Sequence, residues 1–211
     1  MNVVLDHIVV AAETLDDGCS FVEAYVGVRP QRGGKHVAMG THNALLSLGA
    51  RQYLEVIAID PDGAPMKRAR WFDLDEPRMR AALAEGPRLV HWVARTDDID
   101  AATRRSPIDL GVVHPMTRGD LAWRITIPDD GRLPGGGLVP TLIQWPDARH
   151  PTDRMIDMNI RLVALAGEHP EPAPIRAAIA ALGLADTFKV SYGRYPRVAA
   201  MLRTPRGVVT L

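Results

Sequence analysis

Only one cysteine, Cys19, stands in the 211 residues, so no intrachain disulfide is possible. Neither sign of charge is in excess, with Lys plus Arg and Asp plus Glu both at 25. No basic stripe or polybasic run is present, which argues against nucleic acid and anionic lipid as partners. No apolar stretch reaches the ~18 residues that a membrane helix needs. The first residues lack a basic segment followed by an apolar leader. Together these absences predict a cytoplasmic protein with no membrane and no nucleic-acid partner, acting on a small molecule. Aromatic residues are scarce at 5%, whereas hydrophobic residues reach 46% and Gly (18) and Pro (17) are generous. That mixture suits a packed core built from many short strands joined by tight turns.

The informative positive feature is a local frame that occurs twice. Residues 5–16 run Leu-Asp-His-Ile-Val-Val and end Leu-Asp; residues 89–100 run Leu-Val-His-Trp-Val-Ala and end Ile-Asp. His7 and His91 occupy equivalent places, 84 residues apart (91 − 7). A second echo pairs Tyr-Leu-Glu-Val-Ile at 53–57 with Leu-Ile-Gln-Trp at 142–145. Glu55 and Gln144 are 89 residues apart (144 − 55). Each copy predicts the order β-α-β-β-β. In the first, a strand at 2–11 precedes a helix capped by Thr14 or Asp16 and stopped by Gly27. Leu15, Cys19, Val22 and Val26 lie at helical spacing on it, which makes Cys19 a small core hydrophobe. Gly49-Ala50-Arg51 then joins two strands as a hairpin. A Pro/Gly/basic linker follows, and a helix at 75–85 with Asp75 as its cap. Residues 152–211 predict a third β-α-β-β-β order without a His or Glu at the equivalent places, hence a structural unit. The expected divisions are 1–60, 61–87, 88–150 and 152–211. The fold class is α+β: tandem modules forming a curved, barrel-like sheet, with a smaller C-terminal unit.

Glu55 lies in a strand that is apolar on both faces, with Tyr53, Ile57 and Ile59 on its own side. A buried carboxylate needs a cation, a metal or a hydrogen-bond partner; the plainer alternative is a salt bridge to an arginine such as Arg124. A lone inward histidine is ordinarily a hydrogen-bonded core residue. Two equivalent histidines plus Glu55 and Gln144 instead predict a shared metal site. Imidazole, carboxylate and amide oxygen without thiolate suit Zn, Ni, Co, Mn or Fe(II). The neutral Gln144 is the weak member of that set. His42 and Asn43 enter a strand where they either cap a turn or contact a ligand. Arg124 either faces a barrel interior and holds an anion or sits on the surface. Trp71 with Phe72 either lines a pocket mouth or packs between modules. His36, His114, His150 and His169 read as solvent or turn residues. Nucleotide-binding glycine patterns, serine-nucleophile elbows and paired-cysteine metal motifs are absent from the sequence.

These residues, with Gly40-Thr41-His42-Asn43-Ala44-Leu45-Leu46, Arg70-Trp71-Phe72, Arg95-Thr96-Asp97-Asp98 and Thr204-Pro205-Arg206-Gly207, resemble the vicinal oxygen chelate superfamily. Within it the chain is similar to the glyoxalase-like group, over nearly its whole length. The resemblance implies paired β-α-β-β-β modules around one divalent metal, with His7, Glu55 and His91 on the ligand strands. Gln144 falls where a glutamate is usual, which moves the expected base role to Glu55. The implied activity is a metal-dependent lyase or isomerase of a small vicinal-oxygen substrate, with His42, Asn43, Trp71 and Arg124 as substrate contacts. The alternative is a metal-free small-molecule binding or sequestering protein on the same fold. The tail strands either cover a sheet edge or pair with a second copy of the chain in a homodimer.

Overall fold

The computed structural model describes residues 2–146 and 148–211. β1 (Val3–Ala11) is buried on both faces and leads through Thr14 into α1 (Leu15–Val26). The Thr14 hydroxyl accepts from the Asp17 N–H at 3.2 Å, and Gly27 ends the helix in the left-handed conformation. β2 (Gln31–His36), β3 (Thr41–Gly49) and β4 (Gln52–Ile59) complete the first module, the last two joined through Arg51 at φ 55. α2 (Pro77–Glu85) starts two residues later than the spacing predicts. Asp75 does not cap it, because its carboxylate takes the Arg70 N–H and guanidinium instead. The second module is β5 (Arg88–Thr96), α3 (Ile99–Arg105), β6 (Val112–Arg118), β7 (Leu121–Ile127) and β8 (Thr141–Gln144).

The two modules share one eight-stranded sheet in the order β2-β3-β4-β1-β5-β8-β7-β6. β1 and β5 pair antiparallel at its centre, so the modules run outward from there as the sequence echo predicts. The tail forms β9 (Arg161–His169), α4 (Pro172–Ala181), β10 (Phe188–Tyr192), β11 (Arg197–Thr204) and β12 (Gly207–Thr210). Its element order is again β-α-β-β-β, but its sheet order is β10-β9-β11-β12. The first strand therefore lies inside the tail sheet, whereas β1 and β5 each end their own module. The tail shares the modules' element order without their pairing.

Period-2 alternation sorts the large sheet into two faces. The convex face carries Ile8, Val10, Leu54, Val56 and Trp92. It packs against α1, α4 and the tail sheet in one continuous core. Trp92 stacks on Phe188 at 4.8 Å between ring centres and 7° between planes. The concave face carries Val9, Ile57, Val93, Trp123, Ile125 and Ile143, and the segment before α2 fills it with Trp71, Phe72 and Leu74. Phe72 and Asp73 hold φ of 61 and 58, in the left-handed region that side chains avoid. Asp73 anchors them by accepting from Leu133 N–H and by donating its own N–H to Gly131 O, both at 3.0 Å. A Cβ on Gly131 would sit 1.9 Å from Arg70 O, so only glycine admits this interlock.

Candidate active site

The concave face holds a small cavity between the modules, lined by His7, His36, Tyr53, Glu55, Trp71, Phe72, Arg118, Trp123, Ile125, Ile143 and Trp145. Its volume is about 20 Å³, room for roughly one water molecule. Anything larger enters only when a lining side chain moves.

Glu55 reaches it from β4 and His7 from β1, two parallel neighbours in the sheet. His7 Nε2 lies 3.6 Å from Glu55 Oε2, and both side chains are buried. The other Glu55 oxygen accepts from Asn43 Nδ2 at 2.5 Å, and Asn43 Oδ1 accepts from Gly34 N–H at 2.9 Å. A Cβ on Gly33 would lie 2.2 Å from that Asn43 oxygen, so Gly33 is what lets β2 close over it. Asn43 thus spends both ends of its amide holding Glu55.

His7 is oriented by its own chain neighbour. Asp6 Oδ1 accepts from His7 Nδ1 at 2.7 Å, which leaves Nε2 facing Glu55. In a regular strand Asp6 and His7 would point to opposite faces. A register shift against β5 between Leu5 and His7 breaks the alternation and permits the contact. The second Asp6 oxygen accepts from Trp145 Nε1 at 3.0 Å and His150 Nε2 at 3.1 Å. Burial pushes the Asp6 carboxyl up, but hydrogen bonds from His150 and His7, with their charges, outweigh it. They hold it well below the usual carboxylate range. Tyr53 stacks on His7 at 4.4 Å. Its phenol is pushed well above its ordinary value by burial, then by the Asp6 and Glu55 charges.

The other expected ligands are elsewhere occupied. His91 is fully buried; its Nδ1 donates to Gly137 O at 3.0 Å, and its Nε2 accepts from Thr141 N–H at 3.1 Å and lies 3.0 Å from Thr141 Oγ1. No ring nitrogen is left for a metal. Gln144 alternates onto the convex side, where its amide donates to Asp97 O at 2.7 Å and accepts from Ile99 N–H and Arg124, both at 3.3 Å. Its work is to hold the start of α3. Of the four expected ligands, His7 and Glu55 come together, and His91 and Gln144 do not join them. Among the described residues no group of three or more His, Cys, Asp or Glu side chains is arranged to hold a metal ion. The donor set does not fit the divalent centre that the resemblance implies. Replacing His91 by Gln will accordingly leave divalent-cation affinity unchanged, as read by zinc titration calorimetry. A tenfold weakening would restore His91 as a ligand.

The expected substrate contacts divide the same way. Trp71 lines the cavity. Arg124 does not face the barrel interior; Trp123 and Ile125 do, and Arg124 grips Asp100 through two bonds of 2.9 and 3.0 Å. His42 lies on the opposite face from Asn43, in a separate cleft with Glu13, Asp16 and Arg32. Sequence reasoning missed Asp6, whose signal was a carboxylate in an apolar strand, the same argument that singled out Glu55. It also missed His36 and His150, which read as solvent or turn residues and are in fact 5% and 2% exposed.

Two of these buried histidines predict an acid-sensitive fold. Burial, then the Arg118 charge, lowers His36 to about 3, and burial lowers His91 to about 3. Unfolded histidine titrates near 6.5, so on acidification the unfolded chain binds these protons first. The stabilisation is complete above about pH 6.5 and is lost as pH falls toward 3. The slope is up to about 1.4 kcal/mol per pH unit for each group. Urea unfolding at pH 7 and pH 5 reads it directly, and His91→Gln is expected to flatten the slope.

A family model described as a glyoxalase-like domain matches residues 5–183. The chain belongs to the glyoxalase-like domain family. A hypothetical protein from Staphylococcus aureus is similar in structure over 100% of this glyoxalase-like chain and 84% of its own, at 15% identity and a TM-score of 0.63. Methylmalonyl-CoA epimerase from Mycobacterium tuberculosis is similar over 68% of this chain and 89% of its own, at 18% identity and a TM-score of 0.44. A methylmalonyl-CoA epimerase solved with methylmalonyl-CoA and NH4+ is similar over 72% and 100%, at 20% identity and 0.43. The likeness to the Staphylococcus aureus protein establishes a shared fold, which does not by itself fix chemistry. No curated protein matches this glyoxalase-like chain in sequence. No helix of the described residues is long and apolar enough to cross a membrane.

Proposed function

We propose that this glyoxalase-like protein is an isomerase-type enzyme that moves a proton at a carbon next to a carbonyl group. The observation that carries the reading is the buried line Asp6–His7–Glu55, with His7 Nε2 and Glu55 Oε2 at 3.6 Å on one cavity wall. Glu55, steadied by Asn43, takes the carbon-bound proton, and the electron pair moves onto the carbonyl oxygen. His7, with Asp6 behind it, gives or takes the proton at that oxygen. Asp6 fixes the tautomer and offsets charge on the imidazole, as the third member of an acid–base relay does. Aromatic walls keep water out, so the charges act at low dielectric.

The same aromatic enclosure favours a second reading, a binding protein that encloses its ligand without reacting. Its indole donors without acceptors, Trp71 Nε1 and Trp123 Nε1, serve recognition equally well. One assay separates the two. The protein is incubated in D2O with 2-oxo acids, 2-hydroxyketones and acyl thioesters, and NMR follows deuterium at the carbon beside the carbonyl. Uptake above the uncatalysed rate supports the isomerase. Thermal stabilisation by a member of the set with no uptake anywhere supports the binder. Neither effect across the whole set sinks both.

A further inference from the structure

The large sheet ends at β2 on one side and β6 on the other, and these two ends meet where Arg118 Nη1 lies 3.4 Å from His36 Nε2. Arg118 lines the inner cavity and also an outer cleft of about 280 Å³ beside Gly33, Gly34 and the turn after β6. It is thus the residue common to the solvent side and the reacting side.

No carboxylate among the described residues neutralises its charge. Two other cations of the cleft do have carboxylate partners, Lys35 with Asp60 and Asp62 and Arg154 with Asp120, whereas Arg32, on the outer side only, has none among the described residues. Among the described residues Arg118 pairs with no carboxylate, and its one contact is an imidazole held neutral by burial. A guanidinium offers five N–H donors in a planar fork that matches a carboxylate. The cavity repeats the same shortage of acceptors. Trp71 Nε1 and Trp123 Nε1 are buried without hydrogen-bond partners, although both rings line it. Buried donors normally find an acceptor, so two indole N–H groups without one among the described residues, beside a guanidinium without a carboxylate, ask for an oxygen-rich ligand. Ile125, Ile143 and Phe72 leave the rest of the lining apolar.

We infer that the substrate is a small carboxylate with a carbonyl beside it, admitted between the sheet ends, with Arg118 as its anchor and the two indoles as donors to its oxygens. The inference rests on the proton-transfer reading for which end reacts. Glu55 must be ionised to act as base, and like charge then keeps the carboxylate at Arg118 and the carbon acid at Glu55.

The test uses pyruvate and its neutral isostere pyruvamide, titrated by calorimetry into the wild-type protein, Arg118→Gln and Arg118→Lys. The wild type is expected to bind pyruvate about tenfold tighter than pyruvamide or better. Arg118→Gln is expected to remove that preference while leaving pyruvamide affinity and Tm unchanged, and Arg118→Lys to keep part of it. Equal affinity for both probes, no binding of either by the wild type, or a preference that survives in Arg118→Gln overturns the anchor. Deuterium uptake at the pyruvate methyl is read separately. An intact preference with no uptake from pyruvate or any other member of the D2O set sinks the acid–base reading and leaves the anchor standing.

Discussion

On the proposed proton-transfer reading, replacing Glu55 by Gln is expected to slow deuterium uptake about 10²–10⁴-fold relative to the wild-type protein, the usual worth of a positioned general base. The substitution keeps the side chain's length and an oxygen to accept from Asn43, whose amide now makes a 2.5 Å bond there. It removes only the ability to take a proton. On the other oxygen His7 Nε2 is 3.6 Å away, beyond a normal hydrogen bond, so little structural energy depends on the lost charge. The fold and the affinity for a carboxylate probe should therefore persist. Uptake at the wild-type rate in a folded Glu55→Gln protein would remove Glu55 from the chemistry.

Asp6→Asn is expected to cost about 3–5 kcal/mol of stability, the range for breaking a buried charged network. At this chain length that corresponds to a fall in Tm on the order of 10 °C. Asp6 is fully buried and receives donors from His7, Trp145 and His150 on its two oxygens. Asparagine offers one acceptor oxygen where three donors converge, and turns its amide N–H₂ toward the rest. Arg95, 3.9 Å from the same carboxylate, would lose its counter-charge as well. Because the folded Asp6 carboxyl titrates below its unfolded counterpart, its contribution is complete above about pH 4. It is lost only as pH falls through the folded value. At pH 7 the variant should thus show its full deficit in chemical denaturation, together with lost uptake through a misoriented His7. A variant with wild-type Tm would show that the network stabilises nothing.

The architecture was written plainly in the sequence because hydrophobic periodicity and the repeated frame act locally. Helix α1 between Thr14 and Gly27 and the hairpin at Arg51 form where their residues demand. The site was legible by half. Glu55 and His7 declared themselves as polar groups in apolar strands. Asp6 hid behind the alternation rule, since only the irregular register against β5 turns it toward His7. His91 shows the opposite failure. Its equivalence to His7 in sequence is genuine, yet Gly137 and Thr141, contributed by the loop before β8 and by β8 itself, take both ring nitrogens. No pattern within 89–100 could report partners more than 40 residues away. His150 and Arg118 sit at the ends of elements, where a sequence reads as solvent-facing until the sheet curls over it.

The stacking of Trp92 on Phe188 ties the order of events during synthesis to the order of the chain. The convex side of β5 shares its apolar layer with Ile175, Ile179, Phe188 and Leu202. A ribosome that has just finished β8 has therefore made a curled sheet with one oily flank bare. The 60 residues of the tail (152–211) alone take about 3–12 s to emerge. Through that interval the nascent chain is a ready client for chaperones, and a message cut short before the tail would yield an aggregating fragment in place of a smaller folded protein.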